Sequence, residues 1–265
     1  MLFIFTAMYP EAAPIITRLG LRPVNDERVF RIFRSEDIIL TVTGMGKVTA
    51  AASVSHIISR YGTGSDRILN AGICACPDES VKSRIFLVNK LSDHDTGRDF
   101  YPDMLYDTGL PEKADVTFSR LVKSEDMEGS DSLFEMEASA IFETASIYTG
   151  PEAIVFLKIV SDAGDVSGLT APVVQSLVER NLDDICKVVD LLLEQRKQIS
   201  EPDEDLLKLA DELKCSEYMK NRLFEVAGYL KSEGKDIRAY ISHDLPVRDK
   251  KEGNEVINEI LSHLY

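Results

Sequence analysis

Residues 134–140 read FEMEASA, and residues 156–162 read FLKIVSD. The first stretch carries two carboxylates, Glu135 and Glu137, on either side of a methionine and just before apolar residues with helical spacing. The second is an apolar run, typical of a buried strand, that ends in a serine and Asp162. Because ligands of α/β proteins gather at the carboxyl ends of strands, the second stretch predicts a functional carboxylate at a strand end.

Short apolar runs alternate with segments of helical periodicity up to about residue 197. The runs are rich in Ile, Val and Phe, as expected of strands covered on both faces, and they span 2–5, 38–42, 68–71, 85–88 and 153–160. Apolar spacing predicts helices over 46–60, from Met136 to Ala145 and, as one long helix, from Val173 to Leu192. The sequence therefore predicts an α/β domain over 1–197, with helices flanking a mixed or parallel sheet.

Residues 198–265 have a different pattern. Pro202 and the neighbouring acidic residues are typical of a helix start. Three amphipathic stripes follow, at 206–213, 219–230 and from Val256 to Leu264. We expect a helical C-terminal extension over 198–265.

Composition limits the partners that this chain can have. It is 265 residues long and 44% hydrophobic, with a formal net charge of −15 and an isoelectric point near 4.8. The hydrophobic fraction is enough for one sizeable core. The negative charge repels nucleic-acid backbones and anionic membrane surfaces, so we expect a small-molecule partner, no nucleic acid and no membrane.

Cysteine usage and the N-terminal residues indicate the compartment. The spacing of the four cysteines predicts no disulfide framework, and Cys74-x-Cys76 lacks a second Cys/His cluster, so we expect no metal site. Residues 1–8, MLFIFTAM, resemble a buried strand and lack the basic start of a signal peptide. No apolar run approaches the ~20 residues of a membrane span. These features favour a cytoplasmic protein.

Three further elements follow predicted strands. Glu11 comes after the first strand, directly behind Pro10. Residues 44–47, GMGK, join a strand to a helix, and their two glycines allow a close approach of the backbone to a ligand. Residues 70–76, NAGICAC, follow the next strand.

Each of the acidic residues also has a structural interpretation. Asp162 suits a turn or a helix N-cap, and Glu135 and Glu137 suit the first turn of a helix, where the dipole favours acids. Glu11 suits the first helical turn behind a proline. Taken one at a time, these residues leave both interpretations open.

Taken together in chain order, residues 1–197 resemble the purine nucleoside phosphorylase / methylthioadenosine–adenosylhomocysteine nucleosidase superfamily. The resemblance rests on Ala-Met shortly before Glu11, the GMGK turn, the FEMEASA stretch and the Ser-Asp pair. It implies a three-layer, phosphorylase-like α/β domain whose central mixed sheet is flanked by helices, usually assembled as a homodimer or higher homo-oligomer. The chain departs from the family at Ala75 and Cys76, which replace glycines, and in a shortened stretch before Leu133 that normally supplies base-stacking residues.

The resemblance implies roles for the acidic residues. Cleavage of a purine N-glycosidic bond needs a proton for the leaving base, anchors for the ribose hydroxyls and a nucleophile on the opposite face of the sugar. Asp162 would protonate the base at N7, and Glu11 would orient the attacking water. Glu137, with Met136 and Glu135, would hold the ribose.

The resemblance also implies contacts from neighbouring loops. The further substrate-binding candidates are Ser161, Gly46, Phe100 and Tyr101. Arg98 and Gly44 are the candidates for binding a phosphate. Phe100 and Tyr101 lie in a polar, turn-rich loop that borders the 5′ end of the sugar in relatives. A surface loop with local salt bridges is the alternative for this segment.

Three functions remain open. The first is a hydrolytic nucleosidase acting on a purine nucleoside or 5′-thio-nucleoside. The second is a phosphorylase with phosphate as co-substrate, and the third is a non-catalytic, nucleoside-binding regulatory protein. Glu11 favours hydrolysis, because a carboxylate at the nucleophile position would repel phosphate. None of these functions requires a metal or organic cofactor.

Overall fold

The computed structural model describes residues 1–63, 66–105, 107–200, 204–232 and 234–262. The chain divides into two compact units, Met1–Lys197 and Gln198–Tyr265. Within the described ranges, none of the helices combines the length and the apolar character that a membrane crossing requires.

The first unit is built on one mixed sheet. Its strands are β1 (Leu2–Thr6), β2 (Arg22–Pro23), β3 (Arg31–Arg34), β4 (Ile38–Val42), β5 (Arg67–Ala75), β6 (Ile85–Asp93), β7 (Asp99–Phe100), β8 (Glu112–Thr117), β9 (Leu133–Glu135) and β10 (Ile154–Asp162). Strands β1, β5 and β10 are almost wholly buried, as their continuous apolar sequences predict.

The pairing of the strands closes part of the sheet into a ring. β5 pairs with β10, β10 with β6, β6 with β8, β8 with β9, and β9 returns to β5. From β5 the sheet continues outward through β1, β4, β3 and β2. The parallel pairs β1–β5 and β5–β10 bring the carboxyl ends of three long strands to the same edge.

Helices cover both faces of the sheet. They are α1 (Tyr9–Arg18), α2 (Lys47–Tyr61), α3 (Ala138–Ala145), α4 (Ala171–Arg180) and α5 (Leu182–Ser200). Apolar side chains of α2 and α3 share one buried cluster with the sheet, and those of α1, α4 and α5 share a second. The prediction of an α/β domain with a central mixed sheet between helices is confirmed.

The prediction of one long helix from Val173 to Leu192 is wrong, because the structure has two helices there, α4 and α5, separated at Asn181. The Asn181 side-chain amide donates to the carbonyl oxygens of Leu177 (2.9 Å) and Ser83 (3.0 Å). An asparagine side chain competes in this way for helix carbonyls, so it favours helix ends over helix interiors.

The sequence patterns did not predict β8 and β9. β8 reads EKADVT, a polar sequence for a strand, and β9 has only three residues. β9 ends at Glu135, and α3 begins at Ala138. The FEMEASA stretch is therefore a strand that turns directly into a helix.

The second unit has its own apolar core. It contains α6 (Glu204–Glu212), α7 (Glu217–Ser232) and α8 (Lys250–Ser262). Their buried residues include Leu209, Leu223 and Ile257, which belong to the three predicted amphipathic stripes. Pro202 and Leu264, which those predictions also used, lie outside the described residues.

Candidate active site

A cavity of about 360 Å³ lies where β1, β5, β9 and β10 end. The residues that line it follow β1, close β5 and β10, or form the turn between β9 and α3, and others come from the GMGK turn, the β8–β9 connection and the segment that leads into α4. They are Ala7, Met8, Pro10, Glu11, Met45, Ile73, Cys74, Ala75, Leu121, Val122, Phe134, Glu135, Met136, Glu137, Ser161, Asp162, Val166, Leu169, Ala171 and Val174. The structure thus brings together six of the eleven predicted site residues, from three separate segments of the chain.

Glu11 is fixed at one wall of the cavity by two backbone donors. Its Oε2 accepts a hydrogen bond from the N–H of Met8 (2.7 Å), and its Oε1 accepts one from the N–H of Ile73 (2.9 Å). Burial raises the pKa of Glu11, although both N–H groups favour the carboxylate. A Cβ at Gly72 would lie 3.1 Å from Glu11 Oε1, so a glycine at this position lets the carboxylate lie against β5.

Glu137 is the residue just before α3, and it lines the cavity. Its Oε1 accepts a hydrogen bond of 2.6 Å from the N–H of Gly46. Gly46 has a φ of 95°, a conformation that glycine adopts without strain. Burial, followed by the charge of Glu135, raises the pKa of Glu137 to about 7. The GMGK turn therefore contributes an amide to the site.

Both carboxylate oxygens of Glu135 accept hydrogen bonds from other groups of the protein. Its Oε2 accepts hydrogen bonds from the N–H groups of Glu137 and Ala138 (both 2.8 Å) and from Lys158 Nζ (2.9 Å). Its Oε1 accepts a hydrogen bond of 2.6 Å from the hydroxyl of Thr117. The two carboxylates of the FEMEASA stretch consequently differ: Glu135 holds the turn, and Glu137 faces the cavity with one backbone donor.

Asp162 closes the cavity at the end of β10. Its Oδ1 accepts a hydrogen bond from the N–H of Gly164 (2.8 Å). The Ser161 hydroxyl lies 2.6 Å from Asp162 Oδ2 and 3.0 Å from the carbonyl oxygen of Cys74. Its single hydrogen serves one of these acceptors at a time. When Ser161 donates to Cys74, Asp162 Oδ2 is available to a ligand.

Five predicted site residues do not line the cavity. Arg98 forms an ion pair with Glu143 on α3. Phe100 packs against Phe142 with ring centroids 5.4 Å apart, and Tyr101 is 60% exposed. The other two are Gly44 and Gly46, on either side of Met45 in the GMGK turn, and the Gly46 N–H donates to Glu137.

Two polar residues next to the site were missed by the sequence patterns. Lys158 and Asp115 are buried, and both interact electrostatically with Glu135 and Glu137. A lysine in the middle of the apolar run of β10 is a signal that could have been used. Asp115 gave no such signal, because β8 was not recognised as a strand.

The ionisable side chains of the described cavity lining are acidic. Glu11, Glu135, Glu137 and Asp162 contribute carboxyl groups, and the described lining contains no lysine or arginine. Leu121, Val122 and Phe134 supply an apolar wall from the segment that precedes α3. Nowhere in the described part of the chain do three or more His, Cys, Asp or Glu side chains meet in a metal-binding arrangement.

Comparison with solved structures identifies the fold. A mutant of Helicobacter pylori MTAN with 5′-methylthioadenosine in its active site matches with a TM-score of 0.62 at 16% identity, over 71% of this chain and 97% of that chain. Apo 5′-methylthioadenosine nucleosidase of Arabidopsis thaliana matches with a TM-score of 0.61 at 20% identity, over 72% of this chain and 95% of that chain. Futalosine hydrolase of H. pylori matches with a TM-score of 0.59 at 16% identity, over 71% of this chain and 97% of that chain. No protein-family model and no curated protein matches the chain.

The chain therefore has the same fold as these nucleosidases, and this is the fold that the sequence resemblance predicted. The solved structures that it matches include methylthioadenosine/adenosylhomocysteine nucleosidases and a futalosine hydrolase.

Proposed function

We propose that this protein is a nucleosidase, which uses water to cleave the N-glycosidic bond of a purine nucleoside or 5′-thio-nucleoside. The observation that carries the proposal is the convergence of Glu11, Glu137 and Asp162 on one cavity of about 360 Å³. The three carboxyl groups come from α1, the β9–α3 turn and the end of β10. That volume is within the range of small-molecule sites.

The reaction assigns one role to each carboxyl group. The carboxyl group of Asp162 gives a proton to N7 of the departing purine, which would otherwise leave as an anion. Glu137 accepts hydrogen bonds from ribose hydroxyls, with Met136 against the sugar. Glu11, held by two backbone N–H groups, orients a water molecule and takes its proton as the water attacks the anomeric carbon.

The charges of the site favour water over phosphate. A phosphate in this cavity would face several carboxyl groups, and no cation of the described lining would offset that repulsion. Arg98, the predicted phosphate contact, is paired with Glu143 and lies outside the lining. A neutral water molecule has no such cost. The proposed hydrolysis requires no metal and no organic cofactor.

The names of the structural neighbours support the same reaction class. They include nucleosidases of 5′-methylthioadenosine and S-adenosylhomocysteine, one of them holding 5′-methylthioadenosine in its active site. We propose these thio-nucleosides, together with adenosine and inosine, as the first substrates to test.

Incubation of the protein with these four nucleosides is expected to release the free base and the free sugar in buffer without phosphate. Chromatography of the products, with and without added phosphate, measures this directly. A sugar 1-phosphate that forms only in the presence of phosphate would identify a phosphorylase instead. Ligand binding without any turnover would support a non-catalytic nucleoside-binding protein.

Glu137→Gln is expected to raise KM roughly 10- to 100-fold, because hydrogen bonds to a charged acceptor contribute about 1.5–3 kcal/mol. The glutamine oxygen still accepts the N–H of Gly46, so the fold is retained. Glu143→Gln, on the exposed side of α3, is the control. A wild-type KM in Glu137→Gln would remove Glu137 from the ribose site.

The same substitution has a predicted effect on stability. The pKa of Glu137 is about 7 in the folded protein, against an ordinary value of 4.5, so the folded state holds this proton more tightly. The free energy of unfolding of the wild type therefore falls as pH rises from about 4.5 to about 7. Glu137→Gln should flatten this part of the profile, as measured by urea unfolding at several pH values.

A further inference from the structure

Lys158 is a buried cation next to the proposed ribose site. It is 1% exposed and shares a face of β10 with Phe156 and Val160, since alternate residues of a strand point the same way. Its Nζ lies 2.9 Å from Glu135 Oε2. A buried ammonium without a partner costs several kcal/mol, so this ion pair is what allows a lysine in the core.

The neighbouring carboxyl groups keep this lysine charged. Burial lowers the pKa of Lys158, but the charges of Glu135, Asp115 and Glu137 outweigh it, and the net pKa lies above the ordinary value.

Glu135 connects the lysine to the backbone of the site. The oxygen that accepts from Lys158 also accepts from the N–H groups of Glu137 and Ala138. These are the residues at which the chain changes from β9 to α3. The position of the Glu137 side chain thus depends on Glu135, and the charge of Glu135 is balanced by Lys158.

Asp115 is a further buried carboxyl group that interacts electrostatically with Lys158 and Glu135. It is fully buried on β8, and neither of its carboxyl oxygens has a hydrogen-bond partner of ordinary geometry among the described residues. Burial, then the charge of Glu135, raises the pKa of Asp115 well above its usual range, against weaker contributions from Lys158 and the backbone N–H of Val116. Burial therefore favours the protonated form of Asp115, whereas Lys158 makes its direct ion pair with Glu135.

We propose that Lys158 is a positioning residue for the nucleoside: through Glu135 it fixes the turn that presents Glu137, and its buried charge favours the carboxylate form of Glu137, which accepts the ribose hydroxyls. The inference rests on the proposed function, because it takes Glu137 as the ribose ligand. The groups that face Glu137 are Glu135 from β9, Glu11 from α1, Asp115 from β8, Lys158 from β10 and the Gly46 amide. The Lys158 ammonium and the amide favour the ionised form, whereas the carboxyl groups oppose it.

Lys158→Met tests this role by removing the charge and keeping an apolar chain of similar length. Without the ammonium, the pKa of Glu137 rises further, so a smaller fraction is ionised at neutral pH. We expect KM at pH 7 to rise about fivefold, and the pH at which KM improves to move up by about one unit. The KM defect should therefore shrink as pH rises, and Lys158→Arg should restore most of the wild-type profile.

Lys90→Met is the matched control. Lys90 is also a strand lysine, on β6, and its Nζ lies 2.8 Å from Asp99, but it does not line the cavity. Its substitution should leave the pH dependence of KM unchanged. A folded Lys158→Met protein with a wild-type KM at every pH would overturn the proposal.

A second measurement tests the role of Lys158 and does not require the protein to cleave a substrate. Carbon-13 NMR of labelled glutamate carboxyls, with the Glu137 signal assigned from Glu137→Gln, should give a higher pKa for Glu137 in Lys158→Met than in the wild type. An unchanged Glu137 titration would contradict the proposal. If the wild type cleaves no nucleoside, the proposed function fails, while this titration still decides whether Lys158 controls Glu137.

The double variant Lys158→Met/Glu135→Met covers the case in which Lys158→Met does not fold. Replacing both members of a buried ion pair by apolar residues is tolerated better than breaking the pair. This variant removes the group that holds the Glu137 turn, so KM should rise as in the single variant. A folded double variant with wild-type KM would again overturn the proposal.

Discussion

Asp162→Asn is expected to lower turnover about 10²- to 10⁴-fold, the usual contribution of a positioned general acid. An asparagine cannot donate the proton that the departing purine needs. The surrounding geometry survives the change, because the asparagine oxygen still accepts the N–H of Gly164 and its amide can donate to the Ser161 hydroxyl. Ligand affinity should therefore stay near that of the wild type, so the loss should appear in kcat.

Asp165→Asn is the control for this variant. Asp165 lies in the same loop, is exposed, and accepts a hydrogen bond of 2.9 Å from the N–H of Ser167. It does not line the 360 Å³ cavity, so turnover should be unaffected. Steady-state kinetics together with calorimetric binding of a substrate separate the two effects. Unchanged turnover in a folded Asp162→Asn protein would end the assignment of Asp162 as the acid.

Glu11→Gln is expected to reduce kcat about 10²- to 10⁴-fold, because a glutamine cannot take a proton from the attacking water. Both carboxylate oxygens of Glu11 accept backbone N–H groups, and a glutamine amide must place its NH₂ against one of them. We therefore also expect a loss of stability of about 1–3 kcal/mol. Rates should be measured below the unfolding transition and compared with Glu36→Gln, an exposed control on the β3–β4 turn.

The pH dependence gives an independent check on Glu11. A general base works when it is ionised, and burial raises the pKa of Glu11 above its ordinary value of 4.5. The wild-type kcat should therefore increase with pH through a midpoint above that value, and Glu11→Gln should lose this limb. A variant that keeps both the wild-type rate and the limb would exclude Glu11 as the base.

The sequence was sufficient to predict the layers of the fold. Continuous apolar runs mark β1, β4, β5, β6 and β10, and the helical spacings mark α2 and α3, because burial on two faces or on one leaves a direct periodic trace. The break at Asn181 was missed, since apolar periodicity continues across it. It depends on a hydrogen bond to Ser83, which is distant in the chain.

The acidic motifs were recognised, but the different functions of their members were not. The family resemblance implied that Glu135 and Glu137 would both hold the ribose. The structure gives Glu135 four donors, including Lys158 and Thr117, which come from different strands. Local sequence cannot reveal this division, because it is set by what β8 and β10 place beside β9.

The sequence by itself determined that acidic residues stand at the ends of two main strands, Glu11 after β1 and Asp162 at the end of β10, and that a Glu-Met-Glu motif precedes α3. Strand ends carry this information locally, in the change from apolar to polar residues. Only the tertiary structure decided that these ends share one cavity and that its described lining carries carboxyl groups without a cation. It also decided that a buried lysine balances the glutamate behind that cavity. The physical reason is that Coulombic interactions and desolvation depend on distance in space, and the ring of strands sets those distances between residues far apart in the chain.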